Sequence, residues 1–167
     1  MKALFISLKD LSSQTALTGN IDPAKLLPAI RAVQEIELPQ LLGTDLYNKI
    51  SADIIEGTLT GVYLKLKQEY IHNLLIHLSV AYYLPYSSYI ISNGGVSKWT
   101  GGENHSGVTL SELNFMVNKE TEIASMYKKM LVDYLCYNSS DFPEYSTNTN
   151  EDTRPNDGSD YTSLFLG

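Results

Sequence analysis

The sequence predicts an all-α protein, a small bundle of four main helices with a long glycine-rich loop before the last helix and an irregular C-terminal tail. Two observations lead to this class: apolar residues recur at helical spacing in four segments, and helix start and stop signals flank those segments. The chain of 167 residues has the length of one domain. We divide it into a helical domain, residues 1–138, and an extended C-terminal tail, residues 139–167.

The first predicted helix begins at Asp22-Pro23, which offers an N-cap followed by a proline at the first helical position. Pro28 interrupts the segment, so the helix either kinks there or begins nearer Ala29. Leu38-Pro39 is expected to end it, because proline lacks the backbone donor that continues a helix. The apolar residues on one face of this helix are Leu26, Leu27, Ile30 and Val33.

Glycine and proline also delimit the second and third helices. The second follows Gly43-Thr44 and ends at Gly57, a residue type that accepts the left-handed conformation found after helices. The third runs from about Val62 to Leu84 and stops at Pro85. Its second half is apolar nearly all round, which is typical of a helix at the centre of a bundle. We therefore expect three leucines to be buried, Leu74, Leu78 and Leu131.

The fourth helix begins at a capping box, in which Thr109 and Glu112 satisfy backbone donors reciprocally, and it reaches about Cys136. The wide apolar face predicted for the fourth helix consists of Leu113, Met116, Val117, Ile123, Ala124, Tyr127, Met130, Leu131 and Tyr134.

At the other end of the chain, the side chains of the first ten residues alternate briefly in a period of two, which predicts a short extended segment.

The charge and apolar content exclude several classes of protein. The net charge is −7, and residues 138–167 carry six acidic residues against one arginine, a net charge of −5. No basic stripe is present to neutralise phosphates, which argues against sequence-specific nucleic-acid binding. No secretory signal is recognisable, and the longest apolar run, residues 74–84, is shorter than the roughly 20 residues of a spanning helix. We expect a soluble, intracellular protein.

Candidate catalytic and metal-binding residues form no recognisable pattern. His72 and His77 are not spaced to chelate one metal from one helix face, and His77 is expected to be a satisfied core histidine. The lone cysteine, Cys136, would need an adjacent histidine to act as a nucleophile and is more typical of a small apolar filler. The run Gly94–Lys98 lacks the spacing of a phosphate-binding loop. We expect no catalytic residue, no metal and no cofactor.

Tyrosines are concentrated where the third helix ends. Of the 12 tyrosines in the chain, Tyr82, Tyr83, Tyr86 and Tyr89 lie within eight consecutive positions. Tyrosine combines a large apolar ring with a polar tip, which suits half-buried surfaces and interfaces. These tyrosines either complete the core at the end of the bundle or form a contact with another subunit.

Four motifs occur in a fixed order between Thr15 and Tyr145, and together they resemble a known family. The resemblance is to the small helical head–tail connector proteins of tailed phages, in particular the adaptor or ring proteins of crAss-like phages and related phages of gut Bacteroidales. The motifs are Asn20-Ile21-Asp22, Leu41-Leu42-Gly43 with Leu46-Tyr47, Ile91-Ser92-Asn93 with Gly95-Val96, and Tyr134-Leu135 through Asn138 to Phe142-Pro143-Glu144-Tyr145.

The resemblance implies an all-α connector domain that forms a ring, typically twelvefold, on the portal vertex of the capsid. Such a ring continues the DNA channel towards the tail, and it has no catalytic residues. The implied partners are the portal protein, identical subunits, further neck or tail proteins, and genomic DNA that passes without sequence-specific binding. The implied location is the neck of the virion, with the host cytoplasm during assembly. Residues 97–107 and those after Tyr145 depart from the pattern of the family.

We identify candidate inter-subunit or portal contacts in three places. The glycine-rich loop, residues 91–109, exceeds the usual loop length, and its tryptophan is of the type enriched at interface hot spots. The C-terminal tail is polar but ends on an apolar cluster that can anchor it. The candidates are Trp99, Tyr86, Tyr89, Tyr145, Tyr161, Leu164, Phe165 and Leu166. The alternatives are a monomeric helical protein-binding or regulatory module and an enzyme whose site is built across helices.

Overall fold

A computed structural model describes residues 3–15, 17, 21, 23–87, 89–93, 95–98, 108–146, 153 and 155. The helices are α1 (Leu8–Gln14), α2 (Pro23–Glu56), α3 (Gly61–Lys65), α4 (His72–Ser87), α5 (Leu110–Tyr137) and α6 (Pro143–Ser146). A π-helical segment, Leu66–Ile71, joins α3 to α4, and a 3-10 turn, Ser139–Asp141, precedes α6. The predicted all-α class is confirmed. The glycine-rich loop adds one antiparallel hairpin, β1 (Tyr89–Ser92) with β2 (Gly95–Lys98).

Helix α2 has two arms, residues 23–42 and 44–56, which meet at Gly43. Gly43 has φ 73° and ψ 160°, a conformation that is essentially restricted to glycine, so the helical path breaks there. The first arm starts at Pro23 and passes through both Pro28 and Pro39. The predicted end at Pro39 is therefore wrong. A proline inside a helix costs about 3 kcal/mol, whereas each fully buried leucine contributes about 1.5–3 kcal/mol. Around Pro39, the fully buried leucines are Leu38, Leu41 and Leu42.

One long helical path forms the third helix, from Gly61 to Ser87. Lys65, Leu66 and His72 keep right-handed helical angles, so the π-helical segment continues the path of α3 into α4. The predicted stop at Pro85 is wrong, because α4 contains Pro85 and ends at Ser87. Proline removes only its own donor, and the Ser87 hydroxyl donates to the Leu84 carbonyl at 2.7 Å to satisfy the last turn.

The core lies between α4 and its neighbours α2 and α5. Leu74 and Leu131 are fully buried, as predicted. The prediction for Leu78 is wrong: this side chain is half-buried and lines a shallow apolar groove with Val33 and Val117. On α5, the predicted apolar face is too wide, because Met116 lies at the edge of the buried stripe and is exposed to solvent, as is Met130.

The N-terminal segment packs on the core differently from the prediction. Of the described residues before α1, residues 3–7 are non-helical, and α1 begins with a capping box formed by Ser7 and Asp10. Phe5 is fully buried and its backbone N–H donates to Gln34 Oε1 at 3.0 Å. The Gln34 amide in turn donates to the Ala3 carbonyl, so one buried glutamine on α2 holds both sides of the segment.

The chain remains packed beyond the predicted domain boundary at residue 138. Phe142 is fully buried and packs edge-on against Tyr63, while the Tyr63 hydroxyl donates to Glu144 Oε2 at 2.8 Å. Tyr145, predicted to contact another subunit, is instead buried in the core of its own subunit. Further along, Thr153 hydrogen-bonds to Thr44, so this irregular part of the tail contacts α2.

Candidate functional site

The tyrosine-rich end of α4 forms one wall of a surface groove. Tyr82 and Tyr86 are four residues apart, which places them on the same side of the helix, and their ring centroids are 5.9 Å apart. Tyr89 extends this wall from the first residue of β1. The sequence therefore brings three large rings to one surface by combining a helical repeat with the turn into the hairpin.

Small side chains on the first arm of α2 form the opposite wall. The residues across from the tyrosines are Pro28, Ala29 and Ala32, and Lys25 lies on the same wall. Because these side chains are short, a gap remains between α2 and the end of α4. The result is a groove of about 500 Å³, which we call the tyrosine groove. A volume of this size is sufficient to receive several side chains of another molecule.

The tyrosine cluster is divided between the core and the surface. Tyr83 is buried and packs with Leu26 and Ala29, so it completes the core. Tyr86 is 57% exposed, and Tyr82 and Tyr89 are each 43% exposed. Adjacent exposed aromatic side chains of this kind are typical of interaction sites rather than of ordinary protein surface.

The tyrosine groove has the chemistry of a recognition site. Its lining is phenol rings, methyl groups and a proline ring, with Lys25 as the charged side chain among the lining residues. The rings offer apolar faces to a partner, and the hydroxyls can donate or accept hydrogen bonds at the rim. No histidine, cysteine or carboxylate lines the groove within the described part of the chain; its polar groups are the tyrosine hydroxyls, the Ser87 hydroxyl and the Lys25 amine.

His72 and His77 each contact another helix away from the groove. His77 Nδ1 lies 2.7 Å from Glu120 Oε2 on α5, and its ring stacks on Tyr127. The histidine is satisfied, as predicted, but it is half-buried rather than in the core. His72 Nε2 lies 3.2 Å from the side-chain amide of Gln14, and burial lowers the pKa of His72. Among the residues described, no group of three or more histidine, cysteine, aspartate or glutamate side chains could hold a metal ion.

Cys136 differs from its predicted role. It is a free cysteine on the exposed side of α5, so it is not an apolar filler.

Within the described residues, no helix is both long and apolar enough to pass through a membrane.

The predicted contact residues lie in different parts of the structure. Tyr86 and Tyr89 lie together in the tyrosine groove, and Tyr145 does not. Sequence reasoning missed the α2 wall, because alanines and a proline on a helix face give no sign of what packs beside them. It also missed the exposed apolar residues of α5, Phe115 and Met126. The remaining predicted contacts lie outside the described residues, namely Trp99, Tyr161, Leu164, Phe165 and Leu166.

Comparison with known proteins places the chain in one family. Residues 38–155 match a family of unknown function, DUF6712. The chain belongs to the DUF6712 family. No curated protein and no solved structure matches it. The region shared with DUF6712 contains the break at Gly43, helices α4 and α5, and the tyrosine wall of the groove. The α2 wall lies before residue 38, outside the matched region.

Proposed function

We propose that this DUF6712 protein is a structural subunit of a phage neck, an adaptor ring on the portal vertex that connects the capsid to the tail. The observation that carries the proposal is the tyrosine groove, a concave and largely apolar surface with exposed aromatic rings. Such a surface is suited to receiving a segment of a neighbouring protein. The phage context comes from the resemblance of the four ordered motifs to head–tail connector proteins.

The positions of the motifs support a shared structural role. Leu42 and Leu46 are buried on either side of the break at Gly43, and Tyr47 stacks on Phe5. These residues set the angle between the two arms of α2 and fix the N-terminal segment. A motif that specifies a bend in a helix is expected to recur in proteins that share this architecture.

Two further motifs lie where the chain turns or packs back on the subunit. The ISN-x-GV motif spans the turn of the hairpin, where Ser92 pairs with Gly95. The last motif supplies Phe142 and Glu144, which join the segment after α5 to Tyr63. Three of the four motifs therefore contain residues that shape the subunit, which supports an activity in assembly.

A ring requires two different complementary surfaces on each subunit, because its contacts are heterologous. The tyrosine groove offers a concave surface. Trp99 and the C-terminal cluster Tyr161, Leu164, Phe165 and Leu166 remain our predicted convex elements on a neighbour. The net charge of −7 suits a conduit through which DNA phosphates pass without being retained.

The decisive experiment is assembly on the portal protein encoded by the same phage. The purified subunit is mixed with portal rings, and the complex is measured by native mass spectrometry and electron microscopy. We expect a ring of many subunits on each portal. Tyr86→Ala should weaken binding at least tenfold, whereas Ile55→Ala removes a side chain of similar exposure on the second arm of α2 and should leave binding unchanged.

Other outcomes of the same experiment identify the alternatives. A subunit that binds no portal at any concentration contradicts the proposal. A one-to-one complex with a different protein, lost in Tyr86→Ala, supports the monomeric binding module instead.

A further inference from the structure

The outward side of α5 carries an unusual stripe of exposed apolar residues. Phe115, Met126 and Tyr137 are 63%, 61% and 90% exposed. They are 11 residues apart, close to three helical turns, so they lie on one line along the helix. This line is opposite the buried stripe that contains Leu113 and Leu131. No described element of the subunit covers it.

Two ion pairs lie between the successive apolar residues of the stripe. Lys119 Nζ lies 2.8 Å from Glu122 Oε2, between Phe115 and Met126. Lys129 Nζ lies 2.5 Å from Asp133 Oδ2, between Met126 and Tyr137. Exposed pairs of this kind contribute little to the stability of an isolated subunit. We call the three apolar residues and these four charged residues the outer stripe of α5.

The outer stripe is complementary to a second copy of itself that runs in the opposite direction, with Met126 at the centre. Phe115 and Tyr137 are both 11 residues from Met126, so the two aromatic ends exchange places. Lys119 and Asp133 are both seven residues away, so reversal brings a cation to the position of an anion. Glu122 and Lys129 lie four and three residues away, and they too exchange opposite charges.

We propose that the outer stripe is a docking surface for a second copy of this chain, with the two α5 helices antiparallel and a twofold axis at Met126. Lys119 then faces the partner subunit's Asp133, and Glu122 faces the partner subunit's Lys129. Phe115 meets the partner subunit's Tyr137 at each end. Parallel packing would instead place each lysine against its own copy, so the charge pattern selects the antiparallel orientation.

The length of α5 suits such an interface. Its 28 residues form a rod of roughly 40 Å, and helices pack with axes about 8–10 Å apart. With Cα atoms about 2.3 Å from each axis, the two Met126 Cα atoms would approach to roughly 3.4–5.4 Å at the twofold axis. The charged side chains would then lie within reach of one another across the interface.

This pair of subunits is distinct from the proposed ring contact. A twofold contact uses the same surface on both copies and cannot close a cyclic ring. The inference therefore concerns the free subunit and does not rest on the proposed function. It stands if the protein never binds a portal, and it fails if the free protein is a monomer that nevertheless assembles on one.

A charge-swap variant tests the inference directly. In Lys119→Glu, Glu122→Lys, Lys129→Glu, Asp133→Lys, all pairs keep opposite charges, both within the helix and between two copies of the variant. The variant should dimerise as the parent does, at the same concentration in a dilution series. When parent and variant are mixed, mixed dimers should fall far below the half expected by chance, because like charges then face each other.

Native mass spectrometry of the mixture, with one protein carrying a mass tag, measures the fraction of mixed dimers. Parent protein that stays monomeric throughout the dilution series overturns the inference, and so does a mixture containing half mixed dimers. The variant Tyr86→Ala should dimerise normally, which separates this surface from the tyrosine groove.

Cross-linking locates the twofold axis. In a Cys136→Ser background, Met126→Cys should form a disulfide-linked dimer rapidly on mild oxidation, since the expected Cα separation suits a disulfide. Ser125→Cys is the matched control: it is also exposed, but it is turned by about 100° around the helix. Equal cross-linking at both positions, or none at residue 126, contradicts the antiparallel pair.

Discussion

Thr44 and Thr153 bind each other by hydrogen bonds in both directions across 109 positions of sequence. The Thr44 N–H donates to the Thr153 carbonyl at 3.1 Å, and the Thr153 N–H donates to Thr44 Oγ1 at 3.1 Å. The break at Gly43 leaves the Thr44 N–H at the start of a helical arm, where the helix itself offers no acceptor. The late segment of the chain therefore completes the bend in α2.

The bend predicts a large effect of a small substitution at Gly43. The conformation with φ 73° and ψ 160° is strained for any residue with a Cβ, so Gly43→Ala should lower the free energy of unfolding by about 1–3 kcal/mol. Chemical denaturation measures this loss. Gly57 also has a positive φ, 71°, but a Cβ there meets no atom within 4 Å. A greater loss in Gly57→Ala than in Gly43→Ala would contradict the role assigned to the bend.

The Tyr63–Glu144 hydrogen bond predicts a dependence of stability on alkaline pH. Burial and the Glu144 carboxylate raise the pKa of Tyr63 from 10.0 to about 12. The folded protein thus holds the phenol proton more tightly than the unfolded chain does. This contribution is complete below about pH 10 and is lost as the pH rises towards 12. The free energy of unfolding should fall over that window.

Tyr63→Phe is the control for this pH effect, because it keeps the ring and removes the ionisable hydroxyl. The variant should show a shallower fall in unfolding free energy between about pH 10 and 12. Identical pH profiles for the two proteins would mean that Tyr63 does not carry the effect.

Leu74 and Leu78 lie one turn apart on α4 and form a matched pair for the core. Leu74 is fully buried, so Leu74→Ala should destabilise the subunit by about 2–5 kcal/mol. Leu78 is only half-buried beside a shallow groove, where solvent can fill the space left by truncation, so Leu78→Ala should cost less. Thermal and denaturant unfolding compare the two. A larger loss at Leu78 would contradict the packing described for α4.

The His77–Glu120 hydrogen bond predicts a stabilising link between α4 and α5. Glu120→Ala removes the acceptor from a half-buried imidazole and should cost roughly 1–2 kcal/mol. Glu120→Gln keeps an oxygen that can accept from Nδ1 and should restore part of that loss. Urea unfolding at pH 7 measures both variants. Equal losses in the two would show that the charge, rather than the hydrogen bond, provides the stabilisation.

Local signals in the sequence determined the features that depend on a few neighbouring residues. The capping box of Thr109 and Glu112 is present at the start of α5 as predicted, because both partners lie within one turn. Gly57 has the predicted positive φ after the second arm of α2. The helical class follows from the same kind of information, since apolar periodicity is read over a single helix.

Tertiary structure decided the features in which burial competes with local preference. Pro39 is a helix-ending signal, yet α2 continues through it, because the buried leucines around Pro39 outweigh one missing backbone bond. Pro85 ends α4 only two residues late, since the Ser87 hydroxyl satisfies the Leu84 carbonyl in the last turn. Phe142 belongs to a segment of polar composition, and its burial depends on contact with Tyr63 far back in the chain.

The tyrosine groove shows the same division between local and distant information. The sequence determined one wall, because Tyr82 and Tyr86 are neighbours on one helix face. Only the packing of α2 against α4 placed Ala29 and Ala32 across from them and left a gap. A groove is a relation between two surfaces, and the energy that sets their distance comes from the whole core rather than from the residues that line it.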